Sequence, residues 1–509
     1  MKMICLLLAL LLLLGGCSKD GGKTPPTQPP ANITDPVDKQ DDSSEDENPE
    51  ARYVNFDIYA INDLHGRLAD TDYQPGVDEL STYLKQAQQT KNTILLSTGD
   101  MWQGSLESNL TGGMIVTEWM NHMDFTAMTM GGHEYDWGEE GIRRNQELAE
   151  FPFLGINVYS REPDQRVDYC ESSVVVEIEG MQVGIIGAIG NCYFSIASEN
   201  IKNVYFKTGA ELTELVKEEA QILRSQGVDF IIYAIHDGYD QTSSGVSAMA
   251  VGSQDLAGYY DTVLSDGHVD LVFEADTHYC YVLVDQYDVY HLQNGGNNNG
   301  ISHASVMMDK VTGEAYVVIA ELLPAGQYGH MEDDPVVEEL LEKYAEQIEP
   351  ATRVLGVNPQ YRSKNHICQL VANLYCTKGV EKWGAQYDIV LGGGYISCRS
   401  PGYLPAGEVT YSQLMSLLPY DNQITLCSIQ GRDLISRFLE TDNDAYFIKT
   451  TAYGESIRQS IDPDATYYVV TDSYSAYYSY NNMTVIDIYS EEIFARDLVA
   501  DYFAEGSHY

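Results

Sequence analysis

Acids and histidines recur in this chain where short apolar runs stop, and those junctions are the places where chemistry could arise. Ile58 to Ile61 runs into Asn62-Asp63-Leu64-His65-Gly66, and Ile94 to Leu96 into Ser97-Thr98-Gly99-Asp100. The run ending at Met130 meets Gly131-Gly132-His133-Glu134-Tyr135-Asp136. Ile231 to Ile235 precedes His236-Asp237-Gly238, and Leu271 to Phe273 precedes Glu274-Ala275-Asp276-Thr277-His278. Brought together, these side chains form a cage of oxygen and nitrogen donors without thiolates, which suits Mn, Zn or Fe. A carboxylate shared by two ions roughly 3.5–4 Å apart supports in-line attack on a phosphate, so the expected chemistry is phosphoester hydrolysis. His133 is suited to stabilising the developing charge or protonating the leaving oxygen, with Asp136 orienting it. Any one Asp or His at a strand end is more often a turn former than a ligand; the ordered set carries the reading.

The elements needed to position such a set are strands whose carboxyl ends open on one crevice, as in open α/β sheets. The apolar runs read as buried strands, and patterns such as Val77, Leu80, Leu84 and Ala87 read as helices between them. From residue 53 onward the chain is longer than one core usually accommodates, so two domains are expected. Asp334-Pro335-Val336-Val337-Glu338-Glu339-Leu340-Leu341 opens with an acidic cap and a proline in the first turn. It predicts an inter-domain helix within 334–355, helical to about Ile348. Acids and histidines precede it and a glycine triplet and aromatics follow it, which divides catalysis from recognition.

Lys2, the apolar stretch Ile4 to Leu14, and Leu14-Gly15-Gly16-Cys17 read as a secretion signal over 1–17 that ends in lipidation of Cys17. Residues 18–52, rich in Pro, Asp, Glu, Ser and Thr, read as a disordered tether to a bacterial membrane. A formal net charge of −47 argues against duplex nucleic acid as a partner and favours cations. The remaining cysteines show no C-x-x-C pairing, so neither a disulfide scaffold nor a thiolate metal site is expected.

In their order, Asp-x-His, Gly-Asp, Gly-x-His-Glu-x-Asp, a lone His and a final x-x-His resemble the calcineurin-like metallophosphatase domain of bacterial 5′-nucleotidase and UDP-sugar hydrolase lipoproteins. The resemblance covers roughly 53 to 509. It implies an αββα metallophosphatase sandwich over 53–333, a linker helix over 334–355, and an α/β nucleotidase recognition domain over 356–509. It further implies a first metal on Asp63, His65, Asp100 and His278, a second on Asp100 and His236, and a catalytic pair His133 and Asp136. Two departures fall on the second metal. Gly132 stands where the family has a ligating Asn, and Asp276 stands where it has His, so a harder, weaker or empty second site is implied, with Asp276 still able to offer oxygen.

After the linker, Leu391-Gly392-Gly393-Gly394-Tyr395 resembles the family's Gly-rich signature. Leu418-Pro419-Tyr420-Asp421-Asn422 and Thr471-Asp472-Ser473-Tyr474 resemble its base-stacking segments. The resemblance implies substrate contacts at Gly393 and Gly394, stacking on Tyr420 and Tyr474, and positive charge from Arg399, since Ile396 occupies the family's Arg position. Tyr478-Ser479-Tyr480-Asn481 replaces its ribose-binding segment. The expected activity is extracytoplasmic release of phosphate from nucleotides, using two divalent ions. The alternatives are a catalytically silent nucleotide-binding lipoprotein and a hydrolase of cyclic phosphodiesters or nucleotide sugars.

Overall fold

The computed structural model describes residues 52–70, 76–196, 200–238, 268–285, 287–393, 398–399, 402–420, 422–439, 461–476, 482–489 and 493–506. Cys17, the signal, nearly all of the tether, and Gly394 lie outside the described residues.

The first half is built on two sheets of six strands each. In the first, β1 (Tyr53–Ile61) runs parallel to β2 (Asn92–Ser97), followed by β3 (Ala127–Thr129) and β4 (Phe153–Leu154). In the second, β5 (Ser173–Ile178) lies antiparallel to β6 (Met181–Ile189), which runs parallel to β7 (Phe230–His236) and so to β8 (Leu271–Phe273). The strands β9 (Tyr281–Val284) and β10 (Tyr290–Gln293) complete this second sheet, while β11 (Gly300–Asp309), antiparallel to β1, and β12 (Ala315–Pro324), antiparallel to β11, extend the first.

The alternation of side chains along a strand explains the layers. Phe56, Ile58 and Ala60 of β1 meet Phe230, Ile232 and Ala234 of β7 between the sheets. Tyr59 and Ile61 point the other way, into a core with Leu80 and Leu84 of the helix Asp78–Thr90. Ile231, Tyr233 and Ile235 likewise meet Leu212, Val216 and Ala220 of the helix Ala210–Ser225. Both faces of these strands are covered, so the central runs are apolar throughout, as parallel strands between helices require. The architecture is mixed α/β, a helix–sheet–sheet–helix sandwich.

The sheets approach closely at Gly187 of β6, where an added Cβ would lie 2.2 Å from Cβ of Leu154 and 2.9 Å from Oγ1 of Thr129. Only the missing side chain allows β6 to sit over β3 and β4.

In the second half, β13 (Ile389–Gly392), β14 (Ile424–Gln430), β15 (Thr466–Asp472) and β16 (Met483–Ile488) form a sheet ordered β13-β15-β14-β16. The helices Lys364–Trp383 and Ala495–Ala504 pack against it. Between the halves, the expected single helix is two, Val336–Lys343 and Ala345–Thr352. The chain turns at Tyr344, whose ring is buried and whose hydroxyl donates to Oε1 of Glu118 at 2.7 Å. Asp334 supports the start by accepting from the Val336 N–H at 2.9 Å, and it is also paired with Lys85 at 2.9 Å. Among the described residues, no helix is long and apolar enough to cross a membrane.

The close approach at Gly187 gives a direct stability prediction. Gly187→Ala should lower unfolding free energy by about 1–3 kcal/mol through overpacking, read as a lowered urea midpoint. An unchanged midpoint would mean that the sheets can separate there without cost.

Candidate metal centre

Every junction singled out above lies where a strand ends, and the sandwich brings those ends to one place. β1 delivers Asp63 and His65, β2 delivers Asp100, β3 is followed by His133 and Asp136, β7 ends on His236, and β8 is followed by Asp276 and His278. The first two loops are zipped together by backbone: the Asp63 N–H donates to Gly99 O at 3.0 Å, His65 to Asp100 O at 3.0 Å, and Gly66 to Met101 O at 2.8 Å.

The backbone is strained at these positions. Asp63, His65, Asp100, Asp276 and His278 all have positive φ, between 51° and 68°. For residues other than glycine this left-handed conformation costs on the order of 1 kcal/mol each and persists only where the surroundings impose it. Its effect is to turn consecutive polar side chains inward at the strand ends.

The side chains then converge. Asp63, His65 and His278 offer ligand atoms within 4.8 Å of one another, as do Asp63, Asp100 and His236. Asp63 and His236 are fully buried and Asp100 nearly so. Hydrogen bonds fix the imidazoles: His236 Nδ1 lies 2.6 Å from Thr98 O, and His65 Nδ1 lies 2.9 Å from Gln103 O. Each Nδ1 therefore carries a proton donated to a carbonyl, which turns Nε2 inward toward the cluster. His236 Nε2 has no hydrogen-bond partner, yet it sits 3.2 Å from Asp100 Oδ2 and 4.0 Å from Asp63 Oδ1 and Asp276 Oδ1. Burial works against a charge on His236, but Asp100, Asp63 and Asp276 prevail and raise its pKa well above the usual value, so without an ion a proton on Nε2 faces these oxygens, and a divalent cation can take that proton's place. His65 Nε2 and His278 Nε2 lie 3.3 Å apart, and His278 Nε2 lies 3.4 Å from Asp63 Oδ1, so both rings converge on the same carboxylate. These donors fit divalent cations, with the oxygen and nitrogen chemistry of Mn, Zn or Fe.

The titration behaviour points the same way. Burial pushes the carboxyls of Asp63 and Asp100 up, but the imidazoles around them outweigh it and hold both below the usual range. Asp276 is pushed up to about 6 by burial, with Asp100 and Asp63 adding repulsion, and Asp237 is pushed up to about 7 by burial and Asp276. The pocket holds more acids than its own histidines can neutralise.

His133 and Asp136 form a pair beside this cluster, with Nδ1 2.9 Å from Oδ2. The His133 backbone N–H donates to Asp100 Oδ1 at 2.8 Å, tying the pair to the cluster. Burial works against a charge on His133, but Asp136 and Asp100 prevail and raise its pKa to about 9. Gly132 has ordinary helical backbone, φ −68° and ψ −43°, and nothing lies closer than 3.8 Å to a Cβ built on it. The chain conformation therefore does not demand glycine there.

The second half meets the site through its loops. Tyr420 stacks on His133, ring centroids 5.7 Å apart and planes 18° apart. The Arg399 guanidinium lies 5.0 Å from the Tyr420 centroid, and Arg399 donates to the Tyr420 hydroxyl. Arg496 donates to Pro419 O and Tyr420 O, both at 3.3 Å, and Gln103 donates to Pro419 O across the halves at 3.3 Å. Gly393 follows β13, its N–H donating to Val470 O at 2.9 Å, and half-buried Tyr474 follows β15. Tyr420, expected as half of a base sandwich, thus lies against the His133 imidazole in this structure.

Two supports went unread in the sequence. Fully buried Glu134 accepts from the N–H groups of Asp100 at 2.9 Å, Met101 at 2.8 Å and Gly131 at 2.7 Å, clamping two loops of the site. Sequence alone marks it only as an acid in a first turn. Asn62 donates to Asp63 Oδ2 at 2.6 Å and to Asn294 O at 2.8 Å, fixing the carboxylate. A third residue missed, Cys192, groups with His236 and Asp276.

No family model matches the chain. Among curated proteins it is 25% identical over 422 residues to an apyrase of Tabanus yao, covering 75% of this chain and 72% of that one. It is 24% identical over 421 residues to a 5′-nucleotidase of Diplobatis ommata, covering 75% and 70%. The solved 5′-nucleotidase precursor of Thermus thermophilus superposes with a TM-score of 0.67 at 19% identity, over 89% of this chain and 96% of that one.

Two outcomes are expected from the site. Glu134→Ala strands three buried N–H groups and should cost about 3 kcal/mol or more in denaturant unfolding, at about 1–3 kcal/mol per unsatisfied group; a loss under about 1 kcal/mol would refute the clamp. Stripping the protein with chelator should lower its thermal midpoint, and returning Mn or Zn at about 100 times Kd should restore about 2.7 kcal/mol. A midpoint indifferent to both would mean that the acid cluster is stable without cations.

Proposed function

We propose that this chain, which belongs to the 5′-nucleotidase and metallophosphatase family and is by that kinship a hydrolase, releases phosphate from nucleotides or related phosphoesters outside the cytoplasm. The observation that carries the reading is the buried His236 Nε2 turned on three carboxylates, beside a His133–Asp136 pair hydrogen-bonded to the same Asp100. In this reading residues 53–333 perform the chemistry, 334–355 link, and 356–509 recognise the substrate. Asp63, His65, Asp100 and His278 hold one divalent ion, and Asp100, His236 and Asp276 a second.

Bound there, the ions would neutralise phosphoryl charge and make water nucleophilic at neutral pH. The protein's own groups do the rest. Asp136 holds the His133 ring by Nδ1, leaving Nε2 to carry a proton toward the leaving oxygen. Tyr420 and Tyr474 supply flat surfaces for a base, and Arg399 and Gly393 meet the polar part of the substrate. In this reading a lipid anchor on Cys17 holds the enzyme to the membrane through residues 18–52.

A second reading is favoured by Gly132, whose open flank leaves one ligand position unfilled by that residue. It is a nucleotide-binding lipoprotein that keeps one ion and turns over nothing.

The test is phosphate release from nucleoside monophosphates, UDP-glucose and 2′,3′-cyclic AMP by metal-stripped protein resupplied with Mn or Zn. Asp100→Ala should abolish turnover, and His133→Ala should reduce kcat about 10²–10⁴-fold. Turnover unchanged in both variants would sink the assignment, and silence of the unaltered chain on every substrate would favour the binder.

A further inference from the structure

A sixth strand end opens on the metal centre and carries a thiol. β6 stops at Ile189, and Gly190, Asn191 and Cys192 follow. This loop is held to the one bearing His236: the Gly190 N–H donates to His236 O at 3.0 Å, and Asp237 Oδ2 accepts from the Asn191 N–H at 2.7 Å. The contact requires glycine, because a Cβ at residue 190 would fall 2.2 Å from Asp237 Oδ2 and 2.3 Å from Asp237 Cβ. Buried Cys192 is thereby set over the end of β7, its Sγ 3.5 Å from His236 O.

Two independent observations point to a ligand at this spot. Sγ of Cys192, a nitrogen of His236 and a carboxylate oxygen of Asp276 lie within 4.8 Å of one another. His236 Nε2, fully buried, has no hydrogen-bond partner and is aimed into the cluster. A Cβ on Gly132 would lie 3.9 Å from both Cys192 Cβ and Asp100 Oδ1, so the space that a larger residue 132 would take is bordered by the cysteine on one side and the carboxylate on the other.

We propose that Cys192 is a ligand of the second metal ion, completing with His236, Asp276 and the bridging Asp100 a sulfur, nitrogen and oxygen site for a thiophilic divalent cation such as Zn(II). The inference rests on the reading of this cluster as a metal centre. On binding, the thiol loses its proton to solvent as the sulfur–metal bond forms, with no change of oxidation state. A thiolate shifts the preference of the second site from Mn toward Zn, because soft donors select the latter. The two sites would then differ in ion as well as in ligands.

X-ray absorption at the zinc edge of the zinc-loaded full chain tests this. The expected result is a sulfur neighbour at about 2.3 Å alongside the nitrogen and oxygen shell at about 2.0–2.1 Å. In Cys192→Ser the sulfur signal should vanish and zinc content should fall from about two ions per chain to about one. Zinc should also shield Cys192 from alkylation in the unaltered protein, read by peptide mass spectrometry, which decides the matter if the variant does not fold. A shell of nitrogen and oxygen alone, or sulfur that survives Cys192→Ser, would overturn the proposal. Phosphate release measured on the same samples separates the two readings: turnover without sulfur removes Cys192 and leaves the hydrolase, and sulfur without turnover does the reverse.

Discussion

The structure depends on a concentration of buried negative charge that the chain itself does not neutralise. Asp63, Asp100, Asp237, Glu134 and Glu274 are all buried, and Asp276 completes the group at the same strand ends. Isolated ionised carboxylates are not tolerated in an apolar interior. Backbone N–H groups satisfy some of them, as at Glu134, and imidazoles face others. What remains is a set of oxygen and nitrogen donors directed at a common point, with more acids than the imidazoles can neutralise, an arrangement suited to a divalent cation.

The fold provides that arrangement by combining rigid sheets with strained ends. Strands covered on both faces fix where each loop starts, to within the tolerance of a packed core. Left-handed residues at Asp63, His65, Asp100, Asp276 and His278 then turn the side chains inward. The strain is sustained by the zipped loops around residues 63–66 and 99–101 and by the Glu134 clamp. Glycine appears where two layers must touch, at Gly187 between the sheets and at Gly190 between two loops of the site. Precision at the centre is thus a property of the whole sandwich.

Much of this was legible in the sequence, and the reason is physical. Parallel strands sealed between helices and a second sheet must be apolar on both faces, so β1, β2, β7 and β8 stand out as runs and their polar ends stand out with them. The order of Asp63, His65, Asp100, His133, Asp136, His236 and His278 follows from where those runs stop. Other features depend on through-space neighbours that a linear pattern does not encode. Glu134 looks like any first-turn acid until three N–H groups from two loops are seen to meet it. Cys192, taken as one of several scattered thiols, gains its meaning only from Gly190 and the adjacent strand end. The break at Tyr344 interrupts a continuous helical pattern, and its hydroxyl meets Glu118 from a distant part of the chain. Tyr420 reads as an aromatic near a proline, whereas the fold sets it against His133 from across the halves.

Cations at the strand ends are what the buried acids call for, and anomalous diffraction from crystals grown with Mn or Zn examines that directly. It should give anomalous density in two positions, one among Asp63, His65 and His278 and the other among Asp100, His236 and Asp276, bridged by the buried carboxylates. Well-ordered crystals at saturating metal with no anomalous density at either position would contradict it.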